Sequence, residues 1–135
     1  MKIMNRNSAP RYRRDQIESF LLVSELTCQS KHLAVSLVEM QPGGIQHIHA
    51  HDPEQMYFIL EGSGIMTIDG ESKPVKAGDV VFYPSRAAHG LQNTGDTVLK
   101  YISAASPSFN AEECKDLWPL PSLAQETLNN GRKMG

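Results

Sequence analysis

No run of apolar residues in this chain approaches the roughly 20 needed for a helix to cross a bilayer, so a membrane-spanning helix is not expected. Charge of one sign is also short. Its 13 Lys and Arg against 15 Asp and Glu leave a formal net charge of -2, which gives no reason to expect nucleic acid or a membrane as partner. Cysteine is scarce. Cys28 and Cys114 stand far apart and allow one disulfide. The stretch Met1 to Arg14 is polar and basic, without the apolar centre of a secretory signal. A cytoplasmic location with reduced thiols is therefore expected, and both cysteines are read as packing residues. Internal repeats and low-complexity segments are absent. What is present is 135 residues, 40% apolar and 21% charged, a composition that suits one globular domain burying roughly two-thirds of its unfolded surface.

Within that ordinary composition one stretch stands out. Pro42 to Gln55 holds three of the 5 histidines, His47, His49 and His51, at every second position. A strand turns alternate side chains to opposite faces, so the three are expected on one face. Three neutral imidazoles together are costly to bury without partners, and imidazole is the commonest protein metal ligand. This stretch is expected to carry most of a metal site.

The surrounding chain reads as short strands between breakers. Strands are expected at Phe20–Val23, Leu33–Val38, Gln55–Leu60, Ile65–Ile68, Val80–Tyr83, His89–Gln92 and Thr97–Ile102, because each is rich in β-branched or aromatic residues and bounded by turn formers. Asp69-Gly70 signals a hairpin, and Val75 closes its return strand. Many short strands at close intervals point to an all-β barrel or sandwich. Residues 1–18, with Arg6, Arg11, Arg13 and Arg14, are read as a solvated arm, or one packing on a second subunit, rather than as a phosphate grip. Residues 19–106 are read as the barrel. Residues 107–135 are read as a short helix over Ala111–Trp118, capped by Asn110, followed by a polar tail.

Two spaced patterns sharpen the picture. Gly43 is followed by five residues, His49-Ala50-His51, three residues, Gln55, six residues and Gly62. Gly78 is followed by five residues, Pro84-Ser85-Arg86-Ala87-Ala88-His89, three residues and Asn93. Only 15 residues, 63–77, separate them. In this the chain resembles the cupin superfamily, small jelly-roll barrels also called double-stranded β-helices, over most of residues 20–105. Two positions depart from the family pattern. Gln55 stands where glutamate is usual, and Arg86 where glycine is usual. The other frame, His47-x-His49 leading to Glu54, displaces the closing glycine, since seven residues then precede Gly62.

The resemblance implies that His49, His51, Gln55 and His89 hold one divalent transition metal (Zn, Ni, Fe, Mn or Co) inside the barrel, with Tyr57, Arg86 and Asn93 near a small-molecule pocket. Ile59, Phe82 and Leu91 are read as cavity lining or plain core. His47 is a partner behind the ligands, an alternative ligand, a proton shuttle or a solvent-facing residue. The resemblance also implies a homodimer, with residues 15–27 laid on the partner's sheet. A neutral glutamine in place of a carboxylate leaves the metal's charge uncompensated, favouring an anionic oxygen ligand. Three functions remain open. One is an isomerase, lyase or dioxygenase on a small oxygenated metabolite such as a sugar acid or dicarbonyl-like compound. The others are a non-catalytic binding or sensing module and an empty structural barrel.

Overall fold

Residue-by-residue alternation shapes the strands that wall the site. In β3 (Ala34–Met40) and β10 (Leu99–Ser106) every second side chain is buried, the pattern of a strand with one face on a core. The computed structural model describes residues 1–107. Its other strands are β1 (Arg11–Arg14), β2 (Ile17–Val23), β4 (Ile45–His49), β5 (Glu54–Glu61), β6 (Ser63–Ile68), β7 (Glu71–Lys76), β8 (Val80–Tyr83) and β9 (His89–Gln92). They form two antiparallel sheets, ordered β1-β2-β3-β10-β5-β8 and β4-β9-β6-β7. From β3 onward the chain winds from one sheet to the other, pausing only at the β6–β7 hairpin. This is the double-stranded β-helix. One core cluster draws on both sheets, with Met40, Tyr57, Ile59, Tyr83, Leu99 and Tyr101 from the larger, and Met66, Val75 and Leu91 from the smaller.

Turn chemistry closes the winding. Asp69 and Gly70 both take positive φ, 47° and 83°, as a two-residue hairpin of matching twist requires. Gly62 has φ 85°, and a Cβ there would lie 2.5 Å from the Val98 carbonyl oxygen. Only glycine meets both demands.

Several expectations change. The division at residues 18 and 19 falls inside β2. Of the residues expected on a partner's sheet, 15–27, those of β2 are hydrogen-bonded between β1 and β3 of the same chain. β2 is followed by one unexpected helical turn, α1 (Glu25–Cys28), whose N-cap Ser24 accepts the Thr27 N–H. The arm is not free in solvent along its length. Arg6 pairs with Glu39 at 2.6 Å and lies 4.2 Å over the Phe20 ring, so a cation and an apolar stem cover the sheet's outer face. The expected helix over Ala111–Trp118 and the tail lie outside the described residues.

Candidate metal centre

A single extra residue decides how the histidines are presented. Along β4, Ile45 pairs with Gln92 and Gln46 with Leu91, but His49 pairs with His89, so the register slips between Gln46 and His49. This is a β-bulge, which reverses the parity of the faces beyond it. Gln46 points inward, where its Oε1 accepts the Tyr57 hydroxyl at 3.1 Å. His47 and Ile48 both face solvent, and His49 turns in. The expected shared face of His47, His49 and His51 is therefore corrected. His47 belongs to the outside, and His51 lies just beyond the strand, in the turn toward β5. Gly90 makes the bulge possible, since a Cβ there would sit 2.8 Å from the Gln46 carbonyl oxygen.

The inward rings meet. One ring nitrogen from each of His49, His51 and His89 lies within 4.8 Å of the others, with ring centroids 4.4 to 5.5 Å apart. Two of the rings are oriented by the same device. His49 Nδ1 lies 2.8 Å from the His47 carbonyl oxygen, and His89 Nδ1 lies 3.0 Å from that of Ala87. A carbonyl only accepts, so each Nδ1 carries the proton and each Nε2 keeps a lone pair. His89 Nε2 is buried with no hydrogen-bond partner among the described residues. Burial, reinforced by the neighbouring imidazoles, holds His51 and His89 down at about 4, so both are neutral at pH 7 and able to ligate.

Gln55 is buried beside this trio on β5. Its Nε2 donates to Ser103 Oγ on β10, and its Oε1 has no hydrogen-bond partner among the described residues. Behind them stand three tyrosines. Tyr83 pairs with Gln55 across the β5–β8 ladder and stacks on His89 at 3.9 Å. Tyr57 lies edge-on to Tyr83 at 5.4 Å and against Tyr101 at 4.5 Å. Burial pushes all three phenols up, so they stay protonated. Lone pairs on imidazole nitrogens and an amide oxygen, aimed inward without a proton to share, suit a divalent transition cation. The donor set fits the metal that the fold implies.

Other expected site residues are placed differently. Asn93 is fully buried, but Nδ2 donates to the Met40 and Thr97 carbonyls and Oδ1 accepts the Gly95 N–H, so its side chain clamps a loop. Arg86 takes φ 70°, the left-handed region that explains glycine in the family pattern. Its N–H donates to the His51 carbonyl at 2.8 Å, and its exposed guanidinium pairs with Asp52 at 3.0 Å. Backbone and side chain together join the loop that carries His51 to the loop that leads into His89. Phe82 is 59% exposed on the outer face, while Ile59 and Leu91 are core. Three residues of the site's surroundings escaped the sequence reading: Gln46, Tyr83 and Ser103. Strand parity could have found Tyr83, two residues beyond the inward Val81. Gln46 was hidden by the bulge.

The cupin domain model matches residues 36–105, just over half the chain. The chain belongs to the cupin family. This cupin is 33% identical over 89 residues to the oxalate-binding protein of Thermotoga maritima, spanning 65% of this chain and 74% of that one. It is 33% identical over 92 residues to the dimethylsulfoniopropionate lyase DddW of Ruegeria pomeroyi, spanning 68% of this chain and 60% of the lyase. Among solved structures, that of a predicted oxalate decarboxylase from Thermotoga maritima superposes with TM-score 0.71 at 25% identity, covering 78% of this cupin and 99% of the other chain. KdgF from Halomonas sp. superposes with TM-score 0.72 at 16% identity, over 83% and 98%, a likeness of fold alone.

Proposed function

We propose that this cupin holds one divalent transition metal on His49, His51, Gln55 and His89 and uses it to bind a small oxygenated metabolite, a sugar acid or dicarbonyl-like compound, for isomerisation, cleavage or oxidation. The observation that carries this reading is the set of three imidazole nitrogens within 4.8 Å of one another, joined by the unsatisfied Oε1 of Gln55. When bound, the metal supplies Lewis-acid polarisation of a substrate oxygen. The protein's part is to offer four neutral donors, so the cation's charge is left for an anionic ligand. Tyr57 and Tyr83 form the wall behind it, while the Arg86 charge is matched by Asp52. A homodimer and a cytoplasmic location belong to the same proposal, and light scattering checks the first.

A second reading is a non-catalytic binding protein for a small acid. It is favoured by the buried tyrosines, whose protons are held too tightly for one of them to act as a base near neutral pH. The named oxalate-binding relative agrees with it. Elemental analysis of the purified protein tests the metal. Calorimetry with oxalate, alongside turnover screens with and without chelator, separates the enzyme from the binder. Protein purified without stoichiometric metal, and unable to take up Zn²⁺ or Mn²⁺, would overturn the metal-dependent reading.

A further inference from the structure

We propose that the outer face of the larger sheet is a docking surface and that its occupant is residues 108–135 of this same chain. Nothing in the metal reading requires this. Alternate side chains of each strand in that sheet point away from the core, and across the ladder they fall in rows. One row runs Phe20, Leu37, Ile102, Phe58 and Val80, from β2 to β8. Met56 and Phe82 pair in the next row, beside Ala104. All of these side chains are apolar, and Val80 and Phe82 are 60% and 59% exposed. The solvated face of an antiparallel sheet ordinarily alternates to polar residues. A contiguous apolar patch in its place marks a surface that something covers.

Where the chain leaves the sheet favours its own continuation as the cover. β10 lies in the middle of the field and ends at Ser106, opposite Glu54. That is two residues past Ala104, or roughly 7 Å from the apolar rows. On the far side from Ser106 the field is bounded by Lys100, ion-paired to Glu39 and Glu61, so its open side is the one from which the chain departs. Residues 108–135 bring Phe109, Leu117, Trp118, Leu120, Leu123 and Leu128. From β3 to β8 the field spans about 19 Å, which about six extended residues cross. The β2 end of the row already has a cover of this kind. Arg6, ahead of β1, lies 4.2 Å over the Phe20 ring, and Phe20 is 1% exposed. A second copy fits less well, because a field of about 19 by 14 Å falls well short of the roughly 800 Å² per partner in a stable interface. The cupin domain match ends at residue 105, so this cover would be an addition of this chain to the common barrel.

Trp118 is the chain's single tryptophan, so its fluorescence reports on this segment alone. In the full-length protein its emission is expected to be blue-shifted from that in denaturant. The double variant Val80→Ser, Phe82→Ser changes two exposed side chains and is expected to lose most of that shift, with the mass by light scattering and the far-UV circular dichroism unchanged. Three results overturn the proposal: native emission as red as in denaturant, a shift that the double variant keeps, or a double variant that drops from dimer to monomer mass. The last would put a second copy on the face. A measurement from the other side holds even if the double variant fails to fold. Leu117→Ser with Leu120→Ser, in the full-length chain, should uncover the face and raise the binding of an anilinonaphthalene sulfonate dye severalfold. Dye binding equal to that of the wild type overturns the proposal as well.

Discussion

The imidazoles come from two unlike limbs. One limb is β4 and the turn after it, an edge strand with a single neighbour, a bulge, and Ile48 61% exposed. The other is β9, paired on both sides by β4 and β6, with His89 at 0% exposure. Edge strands with broken ladders open at lower cost than central ones. The central limb is therefore expected to be the harder to open, and the bulged limb the easier. The asymmetry has a use. A bulge places two adjacent residues outward and so aims His49 inward without re-registering the rest of the sheet.

Perturbing each limb should expose the difference. The largest effect is expected from His89→Ala, which removes a ligand and opens a hole beneath Tyr83; stoichiometric metal should be lost in atomic absorption and stability should drop by about 2–4 kcal/mol, as for other large-to-small core changes. His51→Ala should also abolish stoichiometric metal and lower the metal-loaded melting temperature, but disturb the metal-free fold less, because its limb is already at an edge. An unchanged metal content in either variant would break the assignment. Gln55→Glu, which touches neither limb, should keep the metal and weaken an anionic ligand roughly tenfold; calorimetry showing tighter anion binding would reverse the charge argument.

Acid tests both limbs together in the metal-free protein. His51 and His89 bind their proton at about 4 when folded and near 6.5 when unfolded. The unfolded chain thus holds more protons between those values. The stability these histidines allow is complete above about pH 6.5 and is lost as pH falls toward 4. Denaturant midpoints that stay flat across that window would contradict the burial of either ring. The smallest effect is expected from His47→Ala. Its side chain is exposed and its contribution to His49 comes through the backbone carbonyl, so metal content should hold and stability shift by less than about 0.5 kcal/mol.

Much of the barrel was legible because strand alternation and turn chemistry are local. Val80 to Tyr83, the Asp69-Gly70 turn and His89 to Gln92 all stand where their residues put them. What escaped was non-local. β1 and the start of β2 are poor in apolar pattern and are held by pairing to β3. Gln46 and His47 exchanged faces because the bulge against β9 depends on Gly90, a residue more than 40 positions away. Asn93 looked like a pocket residue by spacing, yet its amide is spent on loop carbonyls that only the fold brings near.

From residue order alone came the family pattern, the turns, and three histidines set apart from the rest of the chain. Those rest on backbone preferences that each segment carries with it. The tertiary structure decided which imidazoles face one another, which histidine is left outside, and which end of Gln55 looks inward. Such choices belong to pairs of strands, and no strand has a partner until the chain has folded.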